Sequence, residues 1–159
     1  MKLKIAIDTG ALISLQLSGL LKNCLRYFSL MIGSTIKSEL EDIGKTPDAI
    51  GAASVNVLRF VRSGDIKTVK IPKEMKGENE AISIMKKHGC DFIVSDDIKF
   101  VIKVKRKHKN VHFSVFLVSV LHELGEITKE ETWEAVNKIF EKREWSENLI
   151  YSFAKELLG

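Results

Sequence analysis

A chain of 159 residues with 45% apolar and 29% charged residues and only two prolines is long enough to bury one sizeable core and too hydrophobic to stay disordered. The longest nearly unbroken apolar run, 113–121, is interrupted by Ser114 and Ser119 and falls well short of the ~20 residues that cross a bilayer, so no membrane helix is expected. A net charge of +4 and a pI near 9.0 favour polyanionic partners without choosing among them. Lys2 and Lys4 are followed only by Ile5-Ala6-Ile7 before Asp8 intervenes, which is too little for a secretion signal, and a cytoplasmic location is the expectation. Cys24 and Cys90 lack the paired spacing of a zinc site and are expected to be buried thiols.

In chain order, residues 3–7 turn fully apolar before Asp8 and read as a strand buried mid-sheet. Leucines and isoleucines recur at helical intervals over 10–26, with Gly19 dividing two short helices. A second strand is expected at 28–32, then a cap at Gly33-Ser34 and a short helix over 35–41, which Gly44-Lys45-Thr46-Pro47 ends. Residues 49–62 place Ile50, Ala53, Val57, Leu58 and Val61 on one helical face before Ser63-Gly64-Asp65 and a short strand at 66–69. A helix over 79–88 ending at Gly89 leads to a strand at 92–94, a helix at 98–105, a last strand at 111–113 and an apolar helix at 115–124. Thr128 with Glu131 forms a capping box for a helix reaching about Lys142, and Ser146 is expected to cap a final helix, 147–158. Strands alternating with helices over short connections predict a three-layer α/β/α architecture with a central parallel sheet and extra C-terminal helices, in a single domain spanning 1–159.

Several familiar motifs are incomplete. Gly44-Lys45-Thr46 resembles the end of a phosphate-binding loop, but Glu39 stands where that loop needs a glycine. His122-Glu123 begins like a zinc-protease helix, yet Glu126 occupies the second histidine position. Asp8-Thr9-Gly10 lacks the later glycines of a dinucleotide-binding turn. A haloacid-dehalogenase type of phosphatase needs a second aspartate where Gly10 stands.

Four acids are better placed. Asp8 follows the first strand and Asp97 follows the 92–94 strand, so both belong at the carboxyl edge of the sheet, where open α/β folds form their sites. Glu39, in the helix after the second strand, and Glu78, at the start of the helix before the Asp97 strand, can return to that edge. Each taken singly also reads as a helix cap, a turn residue or a solvated acid.

Together they resemble PIN-domain nucleases. Asp8-Thr9-Gly10-Ala11-Leu12-Ile13 is similar to that family's opening motif, and Ile36-Lys37-Ser38-Glu39-Leu40 to its second. Gly77-Glu78-Asn79-Glu80-Ala81-Ile82, followed by Gly89 and Phe92-Ile93-Val94-Ser95-Asp96-Asp97, resembles the Gly-Glu-x-Glu-Ala signature of one prokaryotic subgroup. Gly125-Glu126-Ile127 resembles that subgroup's C-terminal pattern, so the likeness spans nearly the whole chain. It implies Asp8, Glu39, Glu78 and Asp97 as catalytic, metal-binding acids, with Thr9 and Ser95 as hydroxyl partners. Glu80 and Asp96 are rival ligands, and Lys99 stands where the family often carries a further acid.

Crowded carboxylates repel, and hard divalent cations, Mg²⁺ or Mn²⁺, relieve that repulsion. The implied activity is metal-dependent hydrolysis of RNA phosphodiester bonds, with the toxin half of a toxin–antitoxin pair as an analogy from the subgroup. The implied partners are RNA, an antitoxin protein and a second copy of the chain in a homodimer, with no membrane. Lys103, Lys105, Arg106 and Lys107 form the densest basic run and read as phosphate-backbone contacts, against the alternative of a solvated helix end. Two other readings stay open: a PIN-like module that binds RNA or protein without cleaving, and a small-molecule phosphohydrolase using the same acidic edge.

Overall fold

The computed structural model describes residues 1–75 and 79–159. The chain runs β1 (Leu3–Ile7), α1 (Thr9–Leu17), α2 (Leu21–Tyr27), β2 (Phe28–Ile32), α3 (Ser34–Ile43), α4 (Ala49–Ser63) and β3 (Lys67–Thr68). After a short 3-10 turn, Lys73–Met75, come α5 (Glu80–His88), β4 (Phe92–Val94), α6 (Ile98–Lys105), β5 (Val111–His112), α7 (Ser114–Glu123), α8 (Lys129–Lys142) and α9 (Leu149–Leu158). All five strands are parallel, in the order β3-β2-β1-β4-β5.

The centre of the sheet is apolar on both faces because helices cover both. Ile5, Ala6, Leu30, Ile32, Ile93 and Val94 are all fully buried, which explains why these strands read as continuous apolar runs rather than alternating ones. β1 lies between β2 and β4, with Ile5 opposite Leu30 on one side and Phe92 on the other. Right-handed crossovers put α1 to α4 on one face, where α1 packs against α4, α7 and α8, while α5 and α6 cover the other. The three-layer α/β/α expectation holds. From β1 the strand order runs outward in both directions, so the junction of β1 and β4 is the point where the order reverses. At its carboxyl end such a junction opens a crevice.

Three helix boundaries test the local reading. Gly19 separates α1 from α2 at φ 80, a left-handed conformation that suits glycine. The cap falls at Gly33-Ser34 as expected, with Gly33 in the capping position and no side-chain bond of its own. The free N–H groups of α3 are instead accepted by Glu80, whose Oε1 takes Gly33 N at 2.9 Å and Ile36 N at 3.2 Å and whose Oε2 takes Thr35 N at 3.1 Å. A Cβ on residue 33 would sit 2.4 Å from Glu80 Cδ, so glycine is what admits this carboxylate. The expected Ser146 cap is a correction. Asn148 caps α9, accepting from Ile150 N and Tyr151 N, and the helix starts at Leu149 rather than two residues earlier.

Candidate active site

Asp8 leaves the carboxyl end of β1 and caps α1, its Oδ1 accepting from Ala11 N at 3.0 Å. Ser95, fully buried just after β4, donates its hydroxyl to Asp8 Oδ2, and the same Oγ accepts from Asp97 N at 3.1 Å. One serine therefore couples the ends of the two central strands. Asp97 caps α6 by accepting from Phe100 N on Oδ1, at 3.1 Å. Thr9 Oγ1 donates to Glu39 Oε2, which ties the second-motif acid on α3 to the start of α1. Among the described residues, Glu39 Oε1 and Asp97 Oδ2 accept no hydrogen bond.

These groups line one cavity of about 400 Å³ at the junction of β1 and β4, walled by Asp8, Thr9, Glu39, Asn79, Asp97 and Arg143. Burial pushes the Asp8 carboxyl up to about 6. The Ser95 hydroxyl and Ala11 N–H pull it down, and the charges of Asp96 and Asp97 add to the rise. Asp8, Thr9, Glu39 and Asp97 line this cavity, Ser95 is bonded to Asp8, and Glu78 lies outside the described residues.

Of the two rival acids, Glu80 lies away from the cavity, while Asp96 lines it with its carboxylate oxygens bonded to a helix end. Glu80 holds the N-terminus of α3, as described above. Asp96 is buried and holds the N-terminus of α7, accepting Ser114 N at 2.8 Å on Oδ1 and Ser114 Oγ at 2.7 Å on Oδ2. Both carboxylates are drawn to positive helix ends by the N–H groups that no helical carbonyl satisfies.

Two cavity residues escaped the sequence reading. Asn79 caps α5 through Oδ1, which accepts Ala81 N and Ile82 N, and a polar residue directly before a helical run is a legible capping signal. Arg143 closes α8, and its Nη1 donates to Gly10 O at 2.9 Å and to Ser14 Oγ at 3.1 Å. Its guanidinium lies 4.5 Å from the Trp145 ring centre, and burial lowers its pKa against the opposing pull of Asp96 and Asp8. Its Nε is buried without a hydrogen-bond partner among the described residues. Contacts spanning more than 120 residues leave no local sequence signal.

The basic run divides. Lys103 borders a groove beside Asp97, while Lys105 turns to the other side of α6, its Nζ 5.0 Å from the Phe153 ring centre. Arg106 and Lys107 are exposed beyond the helix end. Among the described residues, no three histidine, cysteine, aspartate or glutamate side chains come close enough to hold a metal ion by themselves, and no helix is long and apolar enough to cross a membrane.

A family model described as a PIN domain matches residues 4–159. The chain belongs to the PIN-domain family. Neither a curated protein nor a solved structure matches it. PIN domains are in general divalent-metal-dependent nucleases, so nuclease-type action on nucleic acid is the coarse assignment, and the fold and the carboxyl-edge cavity of this PIN domain agree with it.

Proposed function

We propose that residues 1–159 form one PIN domain that hydrolyses RNA phosphodiester bonds with Mg²⁺ or Mn²⁺ held by Asp8, Glu39, Glu78 and Asp97. The observation that carries this reading is the pairing of Asp8 with Ser95 at the reversal point of the sheet, with Glu39 and Asp97 facing the same cavity. The donor set fits the ion. It consists of carboxylate and hydroxyl oxygens, which hard divalent cations prefer, and Mg²⁺ keeps several waters and needs only one or two protein carboxylates. When bound, such an ion activates water and offsets charge developing on phosphorus.

The chain's own residues do the positioning. Ser95 fixes Asp8 Oδ2 and the Asp97 backbone, so two carboxylates from different strands keep a set separation. Thr9 fixes Glu39 Oε2 where Glu39 lines the cavity. With its carboxyl near 6, Asp8 is mostly ionised at neutral pH and sheds its remaining proton at little cost when a cation arrives. No covalent nucleophile is required.

The test is RNA cleavage by the wild type and Asp97→Asn in Mg²⁺, Mn²⁺ and EDTA. Metal-dependent cleavage that Asp97→Asn abolishes supports the reading, and cleavage that persists in EDTA overturns it. Lys99, standing where the family often has an acid, favours a second reading, a PIN-like module that binds RNA or protein without cutting. RNA binding without cleavage in any metal would support it. A toxin role with an antitoxin partner, a homodimer and a cytoplasmic location complete the proposal on analogy alone.

A further inference from the structure

Among the described residues, Arg143 is the only cation on the wall of the acidic cavity. Its guanidinium is held from two directions. Nη1 directs both of its hydrogens to α1, at Gly10 O and Ser14 Oγ, and the group lies 4.5 Å from the Trp145 ring centre. Glu144, at φ 54, turns the chain through the left-handed region, so that Trp145 N reaches back to Phe140 O and the Trp145 ring packs edge-on against Phe140. Nη2, the nitrogen left over, donates to no described residue.

A Cβ built on Gly10 would stand 3.8 Å from Arg143 Nη2 and 3.8 Å from Asp8 Oδ1. The guanidinium and the carboxylate therefore border one space over the bare glycine, and among the described residues no ion pair joins them across it. Opposite charges in a part-buried site gain by closing into a pair. Here the two bonds of Nη1 and the Trp145 ring hold the guanidinium back.

We infer that Arg143 is a catalytic residue, whose Nη2 binds a non-bridging oxygen of the scissile phosphate in the space over Gly10 and offsets the negative charge that builds there during hydrolysis. The inference rests on the nuclease reading and adds a substrate contact to it. A phosphate entering a cavity walled by Asp8, Glu39 and Asp97 meets like charge from those residues, and Arg143 is the side chain on that wall that attracts it. Because Nη2 is fixed in advance, it meets the oxygen without reorganising, the condition under which a donor acts most strongly on a transition state. A lysine could not do both tasks. Its single ammonium cannot hold Gly10 O and Ser14 Oγ and also present a second nitrogen in the same plane.

The experiment compares the wild type, Arg143→Lys and Gly10→Ala at matched folded fractions. It measures single-turnover cleavage of one short RNA in Mg²⁺, the melting temperature, and anisotropy binding of the same RNA with Asp97→Asn added to each protein so that turnover does not interfere. Arg143→Lys should lower the cleavage rate constant on the order of 100-fold and weaken binding by about tenfold at most, because the contact is strongest in the transition state. Gly10→Ala separates this role from bracing. Its methyl makes only ordinary van der Waals contacts and alanine favours a helix over glycine, so the melting temperature should hold or rise. The methyl nevertheless fills the space between Nη2 and Asp8 Oδ1, and displacing the phosphate should slow cleavage by about 10-fold to 100-fold.

A Gly10→Ala protein that is stable and cleaves at the wild-type rate overturns the inference, as does an Arg143→Lys protein whose folded fraction cleaves as fast as the wild type. Either result leaves the nuclease standing. If the wild type cuts no RNA in any metal, the nuclease reading falls and binding decides what remains. Weaker binding in both variants then keeps Arg143 as a phosphate contact, and unchanged binding removes it.

Discussion

Asp8 and Glu126 are carboxylates of the same chemistry brought to opposite states. Glu126, half-buried after α7, accepts from Arg26 Nη1 at 2.6 Å and Asn23 Nδ2 at 3.2 Å on Oε1, and from Tyr27 OH at 2.7 Å on Oε2. These partners, Tyr27 foremost, hold its pKa below the usual carboxylate range. Asp8 has one hydroxyl and one N–H, acidic neighbours and, among the described residues, no ion pair, and its pKa rises to about 6. The first is a finished contact that ties α2 to the turn after α7. The second carries its charge at a cost that a bound cation would offset, and that unmet demand distinguishes a site from a staple.

The largest expected difference is in activity. Asp8→Asn or Asp97→Asn should lower RNA cleavage at least about 100-fold, the scale on which removing a preorganised electrostatic group acts. Glu126→Gln should leave the rate per folded molecule unchanged while lowering the melting temperature. Initial rates on matched folded fractions check both. A Glu126→Gln protein as inactive as Asp97→Asn would erase the distinction between the two regions.

Next in size is the pH dependence of stability. Asp8 in the metal-free fold holds its proton more tightly than in the unfolded chain, where the carboxyl lies near 3.8. Between about pH 4 and 6 the native state therefore binds more protons, and stability contributed by this group falls as pH rises through that window. At pH 7 the ionised Asp8 costs up to about 3 kcal/mol, so Asp8→Asn should be more stable than the wild type by about 1–3 kcal/mol, with the difference vanishing below pH 4. Denaturant unfolding at pH 3.5, 5 and 7 in EDTA measures it. Mg²⁺ should then raise the stability of the wild type more than that of the variant. His112 opposes this trend from its place stacked on Phe116, because burial and then Lys105 push its imidazole down to about 4. Its neutral form is favoured in the fold, so its contribution is complete above about pH 6.5 and fades as pH falls toward 4. Asp8→Asn and the wild type share that term, and their difference isolates Asp8.

Most of this fold is legible in the sequence because its signals are local. The strands at Leu3–Ile7 and Phe28–Ile32 are continuous apolar runs, and Asp8, Asp97 and Thr128 cap the helices they directly precede. The roles that escaped are mostly those whose partners are remote. Glu80 reaches α3 across 47 positions, Asp96 reaches Ser114 across 18, and Arg143 reaches Gly10 across 133. Read along the chain, Glu80 and Asp96 are as good candidates as Asp97. Only the three-dimensional path shows that their oxygens are already taken by helix ends. Gly125-Glu126-Ile127 carries the same lesson: the stretch that resembles the family at its C-terminal end serves the fold, through Glu126 and the buried Ile127.

Arg143 gives a sharper, smaller test of the acidic region. Its Nη1 grips Gly10 O and Ser14 Oγ, so it braces the first turns of α1, which Asp8 caps. Arg143→Ala should cost about 2 kcal/mol of stability, since hydrogen bonds from a charged group contribute about 1.5–3 kcal/mol and the buried Ser14 hydroxyl loses a donor. Arg143→Lys cannot reproduce the planar fork and should recover only part of that loss.

The smallest effect belongs to Arg26, whose side chain is 62% exposed despite its close contact with Glu126. Exposed pairs gain little because water already solvates both charges and salt screens what remains. Asn23 and Tyr27 still hold Glu126 when Arg26 is removed, so Arg26→Ala should shift the melting temperature only slightly, and added salt should erase the shift. Tyr27→Phe should cost more, because the hydroxyl is the foremost influence keeping Glu126 ionised and Glu126 Oε2 loses its donor with it. Thermal melts of both variants at low and high salt decide the order. If Arg26→Ala proves the more damaging and stays so in salt, Glu126 depends on its cation as Asp8 is proposed to depend on a metal. The contrast between the two carboxylates would then be one of which cation is present, not of whether one is needed.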